Sequence, residues 1–214
     1  MHIITKLDIQ KNNKKRVNVY IDEEYCFSCD AELVYRFGLK VSKSLDLEEM
    51  NKIVEDDNFM KAKNDALKFI ERSYKTEKEL REKLLKKGYE VKTIDKVMDF
   101  TKQYDFVNDK RYAEMYMKEK GQLSGINKIK YDLIRKGIDN DIIKELQSSM
   151  SEASESEGAI VLARKKYLML SKRETDRKKI NEKMLRFLVG KGYNWETAKN
   201  TLKKVADLDV EEGD

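Results

Sequence analysis

One short pattern recurs three times along the chain and constrains its fold more than any other feature. Leu84-Leu85-Lys86-Lys87-Gly88-Tyr89 is matched by Leu133-Ile134-Arg135-Lys136-Gly137-Ile138 and by Leu188-Val189-Gly190-Lys191-Gly192-Tyr193. The final glycines stand 49 and 55 residues apart. Eight positions upstream of each glycine the residue is apolar (Leu80, Ile129, Met184), and six positions downstream it is apolar or small (Ile94, Ile143, Ala198). Each copy reads as a helix that stops at a glycine and turns at once into another helix. A left-handed residue makes that stop, and glycine supplies it without a Cβ clash. Repeats of this length mark an array of supersecondary units that bury their apolar faces against one another.

Composition supports helices. The 214 residues include no proline and only 9 glycines, and 40% are Asp, Glu, Lys or Arg. At average usage a chain of this length would carry about ten prolines, so ring chemistry breaks no helix here. Mean hydropathy is −0.77, and no apolar run approaches the length of a membrane helix. The start, Met1-His2-Ile3-Ile4-Thr5-Lys6, lacks the pattern of a secretory signal. Two cysteines are too few for a disulfide scaffold. Cys26, Cys29 and His2 supply at most three zinc ligands. These features predict a reduced, cytoplasmic setting without metal or cofactor.

The first 58 residues obey a different period. Ile3, Thr5, Leu7 and Ile9 alternate with His2, Ile4, Lys6 and Asp8, and Val17, Val19 and Ile21 alternate with Asn18 and Tyr20. The polar run Lys11 to Lys15 lies between, which predicts a β-hairpin. A third short strand is expected over Tyr25 to Ser28, then a helix from Asp30 to Phe37 capped at Gly38, then a helix starting at Asp46. From residue 59 the period is 3.6. Phe59, Ala62, Ala66, Phe69 and Ile70 form one stripe, and Thr76-Glu77-Lys78-Glu79 is a capping box for the next helix. The fold class is therefore mainly α, an elongated and curved array of three three-helix modules behind a small hairpin-containing region. The expected bounds are 1–58, 59–108, 109–150, a Ser- and Glu-rich linker at 151–157, 158–206, and an acidic tail at 207–214. A compact globule of this length has a radius of gyration of about 17 Å, and the array is expected to exceed it in small-angle scattering.

Charge is uneven. Residues 158–206 hold 14 basic and 4 acidic side chains, whereas residues 1–58 hold 9 and 12. A polyanion or an acidic partner suits the last module. Lys179, Lys183 and Arg186 share one helix face, with Ile180, Met184 and Phe187 turned to the core. Arg164, Lys165, Lys166, Lys172, Arg173, Arg177 and Lys178 precede them, and few acids are at hand to pair. In the first module the charges largely serve the helix through Glu79–Lys83 and Glu82–Lys86. The candidate contacts for DNA or a partner are Arg72, Lys86, Lys87, Arg135 and Lys136 in the first two modules. In the third they are Arg164, Lys165, Arg173, Arg177, Lys179, Lys183, Arg186 and Lys191.

Enzyme chemistry finds little support. Cys26-Phe27-Ser28-Cys29 lies in or beside a strand, where its thiols point to opposite faces, and not at the helix start that activates a redox pair. Neither Gly-rich phosphate motif occurs. His2 alone cannot supply a His-based triad. Tyr74, Tyr89, Tyr104, Tyr112 and Tyr116 could stack bases, but their helical spacing favours the rim of a core. Trp195 is expected to pack the last helix. The third helices open with Glu90-Val91-Lys92, Asp139-Asn140-Asp141 and Asn194-Trp195-Glu196. Carboxylates there oppose a helix-turn-helix reader of bases.

Several segments together resemble the RecX family, regulators of the bacterial recombinase RecA. Ala66-Leu67-Lys68-Phe69-Ile70-Glu71-Arg72-Ser73-Tyr74-Lys75-Thr76-Glu77-Lys78-Glu79-Leu80, then Leu84 to Gly88, is similar to its first repeat. Val107-Asn108-Asp109-Lys110-Arg111-Tyr112-Ala113 and Gly125 to Ile138 resemble its second. The hairpin with Asp22 and the segment Phe27 to Leu39 look like the N-terminal extension of longer members. In this chain Ile126-Asn127 stands where the family usually has Pro or Arg, Asp132 replaces the usual Glu, and the third repeat diverges. The resemblance implies a non-enzymatic monomer that binds RecA–DNA filaments and modulates ATP hydrolysis, filament growth and strand exchange in recombination, DNA repair and the SOS response. DNA is then a secondary, sequence-independent partner. The alternative is a stand-alone nucleic-acid-binding protein of helix-turn-helix-like modules.

Overall fold

The structure is a computed structural model and describes residues 2–149 and 152–211. Strands β1 (His2–Ile9), β2 (Arg16–Ile21), β3 (Glu24–Asp30) and β4 (Ser44–Leu45) form an antiparallel sheet in the order β3-β2-β1-β4. The fourth strand, only two residues long, has too short an alternation to be read from sequence. Asp22 (φ 49°) and Glu23 (φ 76°) make the tight β2–β3 turn. Both central residues of such a turn are left-handed. Asp22 can hold that conformation because its carboxylate accepts from the Ile3 N–H at 3.1 Å and meets His2 Nδ1 at 2.9 Å. The His2 hydrogen bond, then the Ile3 N–H, lowers the Asp22 pKa below its ordinary value.

Helix α1 (Ala31–Arg36) starts at Asp30, whose side chain accepts from the Glu32 N–H, and the left-handed Gly38 follows it. Helix α2 (Leu47–Arg72) opens on a capping box between Asp46 and Glu49. It runs without a break through residue 58, where a domain boundary was expected. With neither Pro nor Gly between residues 47 and 72, nothing stops the helix there. One helix thus supplies Met50 and Ile53 to the sheet core, with Ile4, Val19, Phe27 and Leu33, and Ala62 and Ala66 to the next core.

That second core joins α2 to α3 (Glu77–Lys86) and α4 (Val91–Gln103) through Leu80, Leu84, Ile94, Val97 and Met98, all buried. Helices α5 (Asp109–Lys120), α6 (Ile126–Arg135) and α7 (Asn140–Ser149) enclose Ala113, Met117, Ile129, Leu133, Ile138 and Ile143. Helices α8 (Glu152–Leu170), α9 (Arg177–Gly190) and α10 (Trp195–Glu211) enclose Ala159, Ala163, Ile180, Met184, Leu188 and Tyr193. The three modules are thus three-helix units, as the repeat implies. Gly88, Gly137 and Gly192 have φ of 84°, 88° and 91°, the left-handed stop that the pattern required.

Residues 152–157, expected as linker, form the opening of α8. Serines and glutamates suit a helix start, where free N–H groups and the helix dipole favour them. Ser151 of that linker and residues 212–214 of the acidic tail lie outside the described residues. Trp195 does not pack the last helix: it is the first residue of α10 and 64% exposed, and Tyr193, two residues earlier, takes the core position at 1%.

The chain divides into two compact units, 1–75 with 80–107 and 76–79 with 108–214. The second unit contains a joint that occurs twice. Thr76 Oγ1 donates to the Lys136 carbonyl at 2.7 Å, and Lys78 Nζ donates to the Arg135 carbonyl at 3.0 Å. One repeat later the Gly125 N–H donates to the Lys191 carbonyl at 2.9 Å and the Asn127 N–H to the Gly192 carbonyl at 3.2 Å. Each time the start of a module's middle helix seats on the glycine turn of the following module. Carbonyls left free at a helix end find donors there.

Candidate functional site

The thirteen predicted cations fall into two groups. One group is used inside the fold. Lys136 Nζ lies 2.6 Å from Glu79 Oε1 and sits over the rings of Tyr112 and Tyr116 at 5.3 and 5.9 Å. Burial pulls its pKa down, but Glu79 and then Tyr112 outweigh that and leave it raised. Lys136 is therefore part of the joint and not an open phosphate contact. Glu79 was expected to pair along its own helix with Lys83; it reaches Lys136, and Lys83 lies over Phe69. Lys87 pairs with Asp65 at 2.8 Å, and Lys191 lies over Phe187.

The expected stripe on α9 is also partnered, contrary to the view that acids are scarce there. Lys183 meets Glu174 at 3.0 Å, Lys179 meets Asp176 at 3.8 Å, and Arg186 meets Glu182 at 3.9 Å. Three of the four carboxylates in residues 158–206 are placed beside these three cations. The hydrogen bond from Lys183, followed by the Asp176 N–H, lowers the Glu174 pKa. Asp176 also caps α9 by accepting from the Lys178 and Lys179 N–H groups. The pairs are exposed, and such pairs contribute little to stability.

The other group is open. Among the described residues, Arg164, Lys165, Lys172, Arg173, Arg177 and Lys178 have no carboxylate in ion-pairing distance, and all are exposed. Arg72 and Lys86 are likewise exposed and unpaired, and Arg135 keeps only a 3.4 Å contact with Asp132. Side chains that the charge count passed over accompany Arg164 and Lys165 on α8. Val161, Leu168 and Met169 are 52%, 61% and 65% exposed. Their signal in the sequence is the spacing 161, 165, 168, which follows one line along a helix.

Other places have weaker claims. Of the tyrosines, Tyr74 and Tyr104 are more than half exposed. Tyr112 and Tyr116 stack on each other at 6.2 Å beneath Lys136. A cavity of about 840 Å³ beside α2 is lined by Lys15, Arg16, Lys61 and Lys68 and equally by Asp30, Asp57, Asp65 and Glu71. Its charges balance. Its buried carboxylate, Asp57, is occupied by Arg16, Lys61 and the Asp30 N–H. Cys26 is exposed and Cys29 buried, on opposite faces of β3. Burial, then Asp57, pushes the Cys29 thiol up to about 11, the reverse of an activated thiol. No cluster of three metal-ligating side chains occurs among the described residues, and none of their helices is long and apolar enough to cross a membrane.

A small antiparallel sheet followed by glycine-stopped three-helix modules, the last rich in unpaired cations, defines a modular helical-repeat protein. Residues 2–46 match the regulatory protein RecX N-terminal domain, 62–100 the first three-helix domain of RecX, and 108–146 the second. The regulatory protein RecX of Clostridium acetobutylicum is 48% identical over 204 residues, 94% of this chain and 95% of that one. That of Clostridium perfringens is 46% identical over 204 residues, covering 95% and 96%. That of Clostridioides difficile is 37% identical over 211 residues and 98% of each chain. The chain belongs to the RecX family. A crystal structure of regulatory protein RecX superposes with a TM-score of 0.74 at 22% identity, covering 95% of this chain and all of that one. RecX from Lactobacillus salivarius gives 0.64 at 24% identity over 71% and 98%. These two likenesses show the fold.

Proposed function

We propose that this protein is a non-enzymatic regulator of RecA. It binds RecA filaments on DNA and restrains their growth, ATP hydrolysis and strand exchange, in recombination and DNA repair. It works in the cytoplasm, as a monomer and without a cofactor. Membership of the RecX family supplies the partner. One observation carries the mode of action: the third module holds a set of exposed cations with no carboxylate partners among the described residues. Such a surface attracts a polyanion regardless of base sequence. The carboxylates Glu90, Asp139 and Glu196 at the starts of the third helices fit poorly with base reading in a major groove. DNA is thus the secondary partner.

Co-sedimentation with RecA filaments, with naked DNA as control, tests this. The protein should sediment with filaments at salt concentrations that strip it from naked DNA, and it should slow RecA ATP hydrolysis. If naked DNA accounts for all the binding, the reading as a stand-alone nucleic-acid-binding protein replaces this one.

A further inference from the structure

Helix α8 presents apolar side chains on two faces. Ala159 and Ala163 are fully buried on the inner one. On the outer one Val161, Lys165 and Leu168 follow a single line, with Arg164 and Met169 at its edges. Scattered exposed apolar residues are ordinary. Here three large ones lie within about two turns of one helix, interleaved with two cations, Arg164 and Lys165, that have no carboxylate partner among the described residues. A contiguous patch of this kind marks a binding surface.

The mixture narrows the occupant. A phosphate backbone would satisfy Arg164 and Lys165 but offers nothing to Val161, Leu168 and Met169. A second copy using the same face would set cations against cations. We infer that the outer face of α8 docks on a protein, in a shallow apolar groove rimmed by carboxylates. The groove takes Val161, Leu168 and Met169, at i, i+7 and i+8 of one helix face, as in other helix-in-groove contacts, and the rim pairs with the cations. This assignment rests on the proposed filament binding and locates a protein contact there, apart from DNA.

The test compares wild type with the variant V161Q/L168Q/M169Q on two probes, RecA filaments assembled on single-stranded DNA and the same DNA bare. Glutamine favours helix about as well as leucine, and circular dichroism checks that α8 persists. Filament affinity should fall tenfold or more, while affinity for bare DNA stays within twofold. A second variant, Leu168→Arg, lengthens the cationic line. It should strengthen binding to bare DNA and weaken binding to filaments, opposite signs that a loss of folding cannot produce. Filament affinity within twofold of wild type for both variants would overturn the assignment and leave the proposed function standing. Equal weakening on both probes would place nucleic acid on this face and overturn it as well. Wild type that binds no filaments would sink the proposed function and this assignment with it.

Discussion

Asp57 shows how one side chain can tie two parts of a fold together. It is 2% exposed. Its Oδ1 accepts from Arg16 Nη1 at 2.5 Å and from the Asp30 N–H at 2.9 Å, and Oδ2 lies 2.7 Å from Lys61 Nζ. Arg16 also donates to the Ser28 carbonyl and hydroxyl. Removing one partner of a buried pair strands the other, so Asp57→Ala should cost about 3–5 kcal/mol in urea unfolding. The sequence showed Arg16 only as the residue after a polar turn, because its partner lies 41 positions away. Tyr193 presents the opposite case. Its hydroxyl is buried with no hydrogen-bond partner among the described residues. Tyr193→Phe should therefore be neutral or stabilising by up to about 1 kcal/mol, and Tyr193→Ala should cost about 3–5 kcal/mol through the cavity it leaves. Asp65 governs an acid response. Burial raises its pKa, but Lys87 Nζ and Tyr89 Oη, both at 2.8 Å, hold it below the ordinary 3.8. A carboxyl lowered on folding stabilises fully above its unfolded pKa, and that contribution fades as pH falls through the folded value. Asp65→Asn should lower the melting temperature at neutral pH and flatten its decline below about pH 4. Parallel curves for the two proteins would deny Asp65 that role.

At the scale of elements the three glycine turns differ in what surrounds them. A Cβ on Gly88 would meet nothing within 4 Å, one on Gly137 would lie 2.6 Å from Lys78 Cβ, and one on Gly192 would lie 2.5 Å from the Lys128 backbone nitrogen. All three share the penalty of a left-handed alanine, about 1–2 kcal/mol. Gly88→Ala should cost no more than that. Gly137→Ala should cost more, because the start of α3 must shift. Gly192→Ala should cost most, because the obstacle is backbone. Equal melting temperatures for the three would mean that the joints are loose. The glycines and the capping box of α3 were legible in sequence because each is a local device. Thr76 Oγ1 accepts from the Glu79 N–H at 3.2 Å while Glu79 reaches back to the Thr76 N–H at 3.3 Å. The joint was not legible, since the hydroxyl that caps α3 also donates to a carbonyl 60 residues away. Trp195 was misplaced for a related reason. Counting from Gly192 gives the helix start but not which of two nearby aromatics, Tyr193 or Trp195, turns inward.

At the scale of the whole molecule, the sequence carried the architecture because module identity depends on periodicity and stops, which survive divergence. It carried the site less well. A balance of charge counts residues, whereas binding depends on which cations remain unpaired. The +10 of residues 158–206 pointed to the module that holds most of the unpaired cations and, within it, to Lys179, Lys183 and Arg186, whose carboxylates are at hand on the same module. The two sets can be separated by salt. Each phosphate contact on single-stranded DNA contributes about 0.7 to the slope of log affinity against log salt, and each on duplex about 0.9. Replacing Lys172, Arg173 and Arg177 with alanine should lower the slope by up to about 2 on single strands, with stability nearly unchanged because these charges are exposed. Replacing Lys179, Lys183 and Arg186 should lower it by less, since each would have to leave a carboxylate to reach a phosphate. Freed Glu174, Asp176 and Glu182 would then repel the DNA, so affinity should fall even where the slope does not. Titrations of both triple variants on one oligonucleotide, between low and physiological salt, decide the matter. A larger slope change for Lys179, Lys183 and Arg186 would show that their ion pairs open on binding and that the unpaired cations are merely solvated.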